Sequence, residues 1–165
     1  MRFWSLMSLF LVVFVGCATV GDIEPDRYEL TYEVEFPGVE QQTLHEEARR
    51  YFAWSFESAQ DVIQYERSED GKGEIIGNGT TSYFSRIRAY SRIHRHTLRF
   101  TMNVRSREGL VQIRFGNLEG FGTVGFTERE YKAFSETQYE NVQDTLEGIV
   151  DDFRTSVSRE LKDDF

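Results

Sequence analysis

The sequence predicts an α+β fold in the order β-α-β-β-β-β-α, one antiparallel sheet with two helices packed on one of its faces. Three observations predict it. Apolar and polar residues alternate over residues 28–36 and again over 93–105, the period of a strand with one buried side. Apolar residues recur at helical spacing over 44–55 and over 142–157. Short β-prone runs punctuated by glycine turns lie between those helices. An antiparallel sheet with one apolar face and two amphipathic helices has one economical arrangement, in which both helices cover that face and the other meets water.

The elements follow in order. Tyr28, Leu30, Tyr32, Val34 and Phe36 share one face of the first strand, and Glu29, Thr31, Glu33 and Glu35 the other. Pro37 and Gly38 end it. Leu44, Ala48, Tyr51, Phe52 and Ser55 then form one stripe of a helix of roughly four turns, beginning near Glu40 or at a capping box of Thr43 with Glu46. Val62 to Arg67 and Glu74 to Gly79 flank the turn Glu69, Asp70, Gly71 and read as a hairpin; residues 80–92 fit no single pattern. Leu98, Phe100, Met102 and Val104 alternate with Arg95, Thr97, Arg99, Thr101 and Asn103. Glu108 and Gly109 turn the chain into a last strand in which Val111, Ile113 and Phe115 alternate with Gln112 and Arg114. Residues 116–125, with four glycines, read as a loop. After Thr127 the chain reads as helical, most clearly where Val142, Leu146, Ile149, Val150, Phe153 and Val157 align.

The first residues are an address. Met1 and Arg2 precede an apolar run from Phe3 to Val15, then Gly16 and Cys17. That is the layout of a secretory signal, and at about 13 residues the run is short of the ~20 that cross a bilayer. Phe14, Val15, Gly16 and Cys17 resemble the lipobox of bacterial lipoproteins, whose cysteine is lipidated and becomes the first mature residue; Phe14 departs from the usual aliphatic residue. Cleavage after Ala18 is the alternative, because Gly16 and Ala18 also satisfy the small-x-small rule. Cys17 is the only cysteine, so it has no internal disulfide partner, and lipid attachment accounts for an unpaired thiol in an exported chain. The expected organisation is a signal peptide at 1–16, a lipidated cysteine and tether at 17–26, and a single α+β domain at 27–165. Ala18 is not the aspartate that commonly retains such proteins in the inner membrane, so the expected location is the cell envelope, anchored in the outer membrane.

The chain also resembles a family: small bacterial envelope lipoproteins that carry an uncharacterised domain with a fold like that of the TATA-box-binding protein. The resemblance lies in EVEFPG at 33–38, the helix through Phe52, DVIQYERSEDGKGEIIGNG at 61–79 and HTLRFTMNVRSREGLVQIRFGN at 96–117. These stretches are fold markers, not catalytic signatures. The resemblance implies the β-α-β4-α topology reached from periodicity and implies no activity, so it transfers no functional residue.

Charge segregation is the most unusual feature. Arg86, Arg88, Arg92, Arg95, Arg99, Arg105 and Arg107 fall within 22 residues that contain no acid, whereas the rest of the mature chain holds 11 basic against 28 acidic residues. Guanidinium groups in that density suit phosphates or carboxylates of an envelope component. Equally, strand parity puts Arg95, Arg99 and Arg114 on the face that presents Glu29, Glu33 and Glu35, where cross-strand ion pairs would serve structure alone. His94 and His96 point the same way from one strand, which a metal site requires, but two ligands are not a site. The glycines at 71–73 and 77–79 lack a P-loop pattern and read as turn and strand-end residues. Trp54 and Phe56 extend the buried side of the first helix or, if exposed, mark a partner patch.

The sequence thus leads to a non-enzymatic, lipid-anchored envelope module without a cofactor or metal, partnered by the membrane through Cys17 and by an envelope protein or anionic envelope component. A hydrolase or metal-dependent enzyme using His94 and His96 is one rival. Nucleic-acid binding by fold analogy is another; export, an acidic net charge of −9 and the outer glutamates of the first strand count against it.

Overall fold

Strand β1 (Leu30–Glu35) is the first element among the described residues, and its alternation is read by its neighbour: Leu30, Tyr32 and Val34 lie opposite Phe115, Ile113 and Val111. The computed structural model describes residues 29–56, 63–69, 71–87, 92–124, 127–131 and 134–163. Cys17 and the segments 1–16 and 17–26 lie outside the described residues. After a turn in which Gly38 takes φ +78°, helix α1 (Gln41–Ser55) begins without a side-chain cap. The elements that follow are β2 (Ile63–Glu69), β3 (Lys72–Ile87), β4 (Arg92–Arg107), β5 (Leu110–Val124), β6 (Thr127–Tyr131) and a long helix α2 (Glu136–Asp163).

The strands form one antiparallel sheet in the order β1-β5-β4-β3-β2. Strand β6 pairs with residues 120–124 of β5, continuing the edge that β1 occupies along residues 110–115. The expected β-α-β4-α order stands, and β6 adds a short sixth strand before α2.

Three readings of the sequence are corrected. Residues 116–125 do not form a loop: β5 runs through them to Val124. A bulge accommodates the composition, because three steps of β5 between Gly116 and Glu119 oppose two of β4 between Thr101 and Arg99, with Asn117 at φ +50°. The extra residue flips the alternation, so Leu118 is buried where the earlier parity would have exposed it. The chain after Thr127 is first a strand, β6, whose edge pairing overrides its local preference, and helix begins only at Glu136. Gly77 and Gly79 do not end a strand. β3 continues to Ile87, and Gly79 is required because a Cβ there would come within 2.4 Å of the Phe100 ring and 2.8 Å of Phe56.

Both helices cover the face formed by Ile75, Leu98, Phe100, Met102, Val104, Val111, Ile113 and Phe115. α1 contributes Leu44, Ala48, Tyr51 and Phe52, and α2 contributes Val142, Leu146, Val150, Phe153 and Val157, the stripes that helical periodicity predicts. Rings interlock across the layers: Phe100 meets Phe115 at 5.4 Å and Phe56 at 5.9 Å, and Tyr51 meets Phe153 at 5.1 Å. The Tyr51 hydroxyl reaches the Ile149 carbonyl and the Asp152 carboxylate, each at 3.2 Å, and so ties α1 to α2; burial pushes its pKa to about 12. Each fully buried Phe or Leu in such a layer contributes about 1.5–3 kcal/mol.

Candidate functional site

The uncovered face of the sheet is the candidate site. Residues of β4 that alternate with its core positions point outward, so Arg95, Arg99, Asn103, Arg105 and Arg107 lie along one side of the central strand. Arg114 lies on β5 opposite Asn103. Arg88 lies outside the described residues, as do the side chains of Arg86 and Arg92.

The arginines do not share one role. Arg114 reaches Glu29 at 3.8 Å, the long ion pair that parity anticipates. Arg95 instead donates from Nε to the Ser82 hydroxyl at 3.0 Å, and Arg99 lays its guanidinium over the Phe121 ring at 4.3 Å. Neither forms an ion pair among the described residues. One ion pair on this face joins residues that sequence reasoning did not connect: Arg105 Nε donates to Glu74 at 2.8 Å. Asn103 Nδ2 donates to the same Glu74 oxygen at 2.9 Å, and the two donors hold the Glu74 carboxyl below its ordinary pKa. Asn103 is only 8% exposed, and its Oδ1 accepts no hydrogen bond among the described residues. Exposed aromatic side chains accompany these charges, Phe84 at 58% and Tyr65 at 44%.

Toward one end of this face the sheet forms a cleft of about 600 Å³. Its end is set by three turns. The amide of Phe36 donates to the Gly109 carbonyl at 2.8 Å and that of Gly109 to the Val39 carbonyl at 2.9 Å, clamping the β1–α1 turn against the β4–β5 turn. Gly71 at φ +71° closes the β2–β3 turn beside them. Arg67, Lys72, Arg105 and Arg107 line the cleft with Glu33, Glu69 and Glu74, while Leu110 supplies an apolar wall. Arg67 pairs with Glu69 and Arg105 with Glu74, whereas Lys72 and Arg107 have no ion-pair partner among the described residues. Sequence reading missed this cleft. Arg107 belongs to the arginine-rich run, but only the register that puts Gly73 opposite Ser106 brings Lys72 beside it.

The histidines sit on the covered side. His96 stacks on Tyr83 at 4.9 Å, 19° from parallel, and burial, with His94 beside it, lowers its pKa. The His94 and His96 rings are 6.5 Å apart. Among the described residues no three His, Cys, Asp or Glu side chains are grouped to hold a metal ion. The third histidine, His45, is buried on α1 with its Nε2 3.1 Å from Glu66, beneath Gly73. Trp54 and Phe56 part company: Phe56 is buried, and Trp54 is 64% exposed with Arg159 at 5.8 Å from its ring. No helix among the described residues is long and apolar enough to cross a membrane.

Residues 30–120 match a family model described as a domain of unknown function (DUF4468) with TBP-like fold. The chain belongs to this family. A crystal structure of a TBP-like protein from Parabacteroides distasonis is similar over 84% of this chain and 97% of that one, with a TM-score of 0.62 at 8% identity, a likeness of fold alone. A crystal structure of a DUF4468 family protein from Bacteroides ovatus aligns over 79% and 77% of the two chains, with a TM-score of 0.44 at 13% identity. No curated protein matches the chain. The matched span contains β1 to β4 and the bulged half of β5, and therefore the whole cleft and the outward arginines.

Proposed function

We propose that this member of the family is a non-catalytic module of the cell envelope, anchored through lipid on Cys17 in the outer membrane, that binds an envelope protein or anionic envelope component across its open sheet face. The observation that carries the reading is the outward side of β4: arginines line it while both helices cover the opposite face, and Arg95 and Arg99 make no ion pair among the described residues. Glu119 lies across from Arg99, but Arg95 lies across from Phe84, where a ladder built only for stability would place a carboxylate. The lipid anchor rests on the apolar run ending in Gly16 and Cys17.

The test is in-cell cross-linking of the intact protein, comparing the parent with a variant in which Arg95, Arg99 and Arg114 become glutamate, each with its melting temperature. A specific partner recovered with the parent and lost from the still-folded variant is the expected result. Unchanged partners would refute the role of this face. Metabolic labelling with a fatty acid tests the anchor: label is expected in the parent and absent after Cys17→Ser.

A further inference from the structure

Lys72 and Arg107 stand side by side on neighbouring strands at the turn end of the sheet, one residue beyond the paired Gly73 and Ser106. Both side chains are exposed on the open face and line the cleft. Like charges on adjacent strands repel, and such an arrangement is destabilising unless an anion comes between them. Three glutamates line the same cleft, and each holds another donor: Glu69, directly across from Lys72, pairs with Arg67, Glu74 takes both Asn103 and Arg105, and Glu33 accepts from Gln112. Among the described residues neither Lys72 nor Arg107 therefore has an ion-pair partner.

We propose that the cleft binds a phosphate-sized oxyanion between Lys72 and Arg107. Side chains one strand apart start about 5 Å from each other, so a guanidinium fork and an ammonium reach a single group of that size. Arg105 flanks the position with guanidinium donors not used on Glu74, which it meets through Nε. The Glu69 carboxylate bounds the site on the β2 side and that of Glu74 bounds it along β3, and together they disfavour a longer polyanion lying across the sheet. The proposal rests on the open-face reading above and narrows it to one place and one ligand chemistry.

The test titrates the purified protein with inorganic phosphate at constant ionic strength, following backbone amide shifts. Saturable shifts centred on residues 69–74 and 105–110 are expected. The Lys72→Gln, Arg107→Gln double variant should bind at least about tenfold more weakly, the effect of losing one charge-assisted contact, while Arg154→Gln, on α2 away from the sheet's open face, binds as the parent does. Shifts that rise without saturating, or an equal loss in Arg154→Gln, would overturn the proposal in favour of a diffuse positive field. Lys72→Gln alone should leave the melting temperature unchanged or raised; a clear fall would show that Lys72 has a stabilising partner and remove the premise. Vesicles carrying phosphatidic acid distinguish the source of the phosphate. Retention that is lost in the double variant assigns a lipid headgroup, and saturation by dissolved phosphate without retention assigns a soluble phosphorylated compound. The cross-linking variant keeps Lys72 and Arg107, so loss of its partner with phosphate binding absent refutes the cleft alone, and the reverse pattern refutes the broader reading alone.

Discussion

On β4, Leu98, Phe100, Met102 and Val104 point into the helices, while Arg95, Arg99, Asn103 and Arg105 point away from them. Neighbouring residues of one strand thus occupy environments that obey different rules. On the covered side position is fixed by ring against ring, and a lost methylene leaves a void that dense packing cannot refill. On the open side the same backbone presents charges whose attraction is screened by water, so their partners vary from a carboxylate to a hydroxyl to an aromatic face. The covered face accounts for stability, and the open face is where side chains can change at little structural cost.

That contrast is broken most easily at its strong side. Phe115→Ala removes a fully buried ring that meets both Phe100 and Tyr32, and is expected to cost about 3–5 kcal/mol in denaturant unfolding. A cost near 1 kcal/mol would mean that the layer is loosely packed. Gly79→Ala tests the same face from the opposite direction. Its Cβ has no room against Phe100 and Phe56, and the overpacking is expected to cost about 1–3 kcal/mol, read from the same midpoint.

Acid titration sharpens the comparison, because each face holds a group whose shift acts on the acid side of neutrality. His96 is buried against Tyr83 with its pKa lowered, so the folded chain favours the neutral ring. Its contribution is complete above the ordinary histidine value of about 6.5 and falls as pH drops from there toward its lowered value. Glu74 also has a lowered pKa, held down by Asn103 and Arg105; its contribution is present above the ordinary glutamate range and is lost as pH falls through the folded value. Unfolding free energy measured against pH should therefore decline in two stages. His96→Phe should flatten the upper one and Glu74→Gln the lower, and a profile unchanged by either variant would contradict the assignment. The smallest effects belong to the outward arginines. Arg99→Ala is expected to cost about 0.5–1 kcal/mol through its contact with Phe121, and Arg95→Ala to lie within about 0.5 kcal/mol of the parent.

Where one rule governed a segment, sequence and structure agree. The alternation in β1 and β4 and the stripes of α1 and α2 each follow from burying one side of a regular element. The glycine-rich half of β5 did not announce itself, because its strand state depends on hydrogen bonds from β4 and β6 rather than on its own side chains. β6 failed for the same reason: Thr127–Tyr131 has a strand partner only after β5 has been extended by the bulge. At the site, parity sufficed to turn Arg95, Arg99 and Arg114 outward. It could not say which carboxylate would meet which arginine, since cross-strand neighbours depend on register.

By itself the sequence determined which residues face inward on each regular element, because that follows from a period of two or 3.6 residues and the cost of leaving apolar surface in water. It also supplied the apolar run from Phe3 to Val15 and the lone Cys17, which are local patterns. Only the tertiary structure decided the bulge at Asn117, the pairing of Glu74 with Asn103 and Arg105, and the meeting of Lys72 with Arg107. Each depends on how strands distant in sequence are registered, and a shift of one residue would send every one of those side chains to the other face.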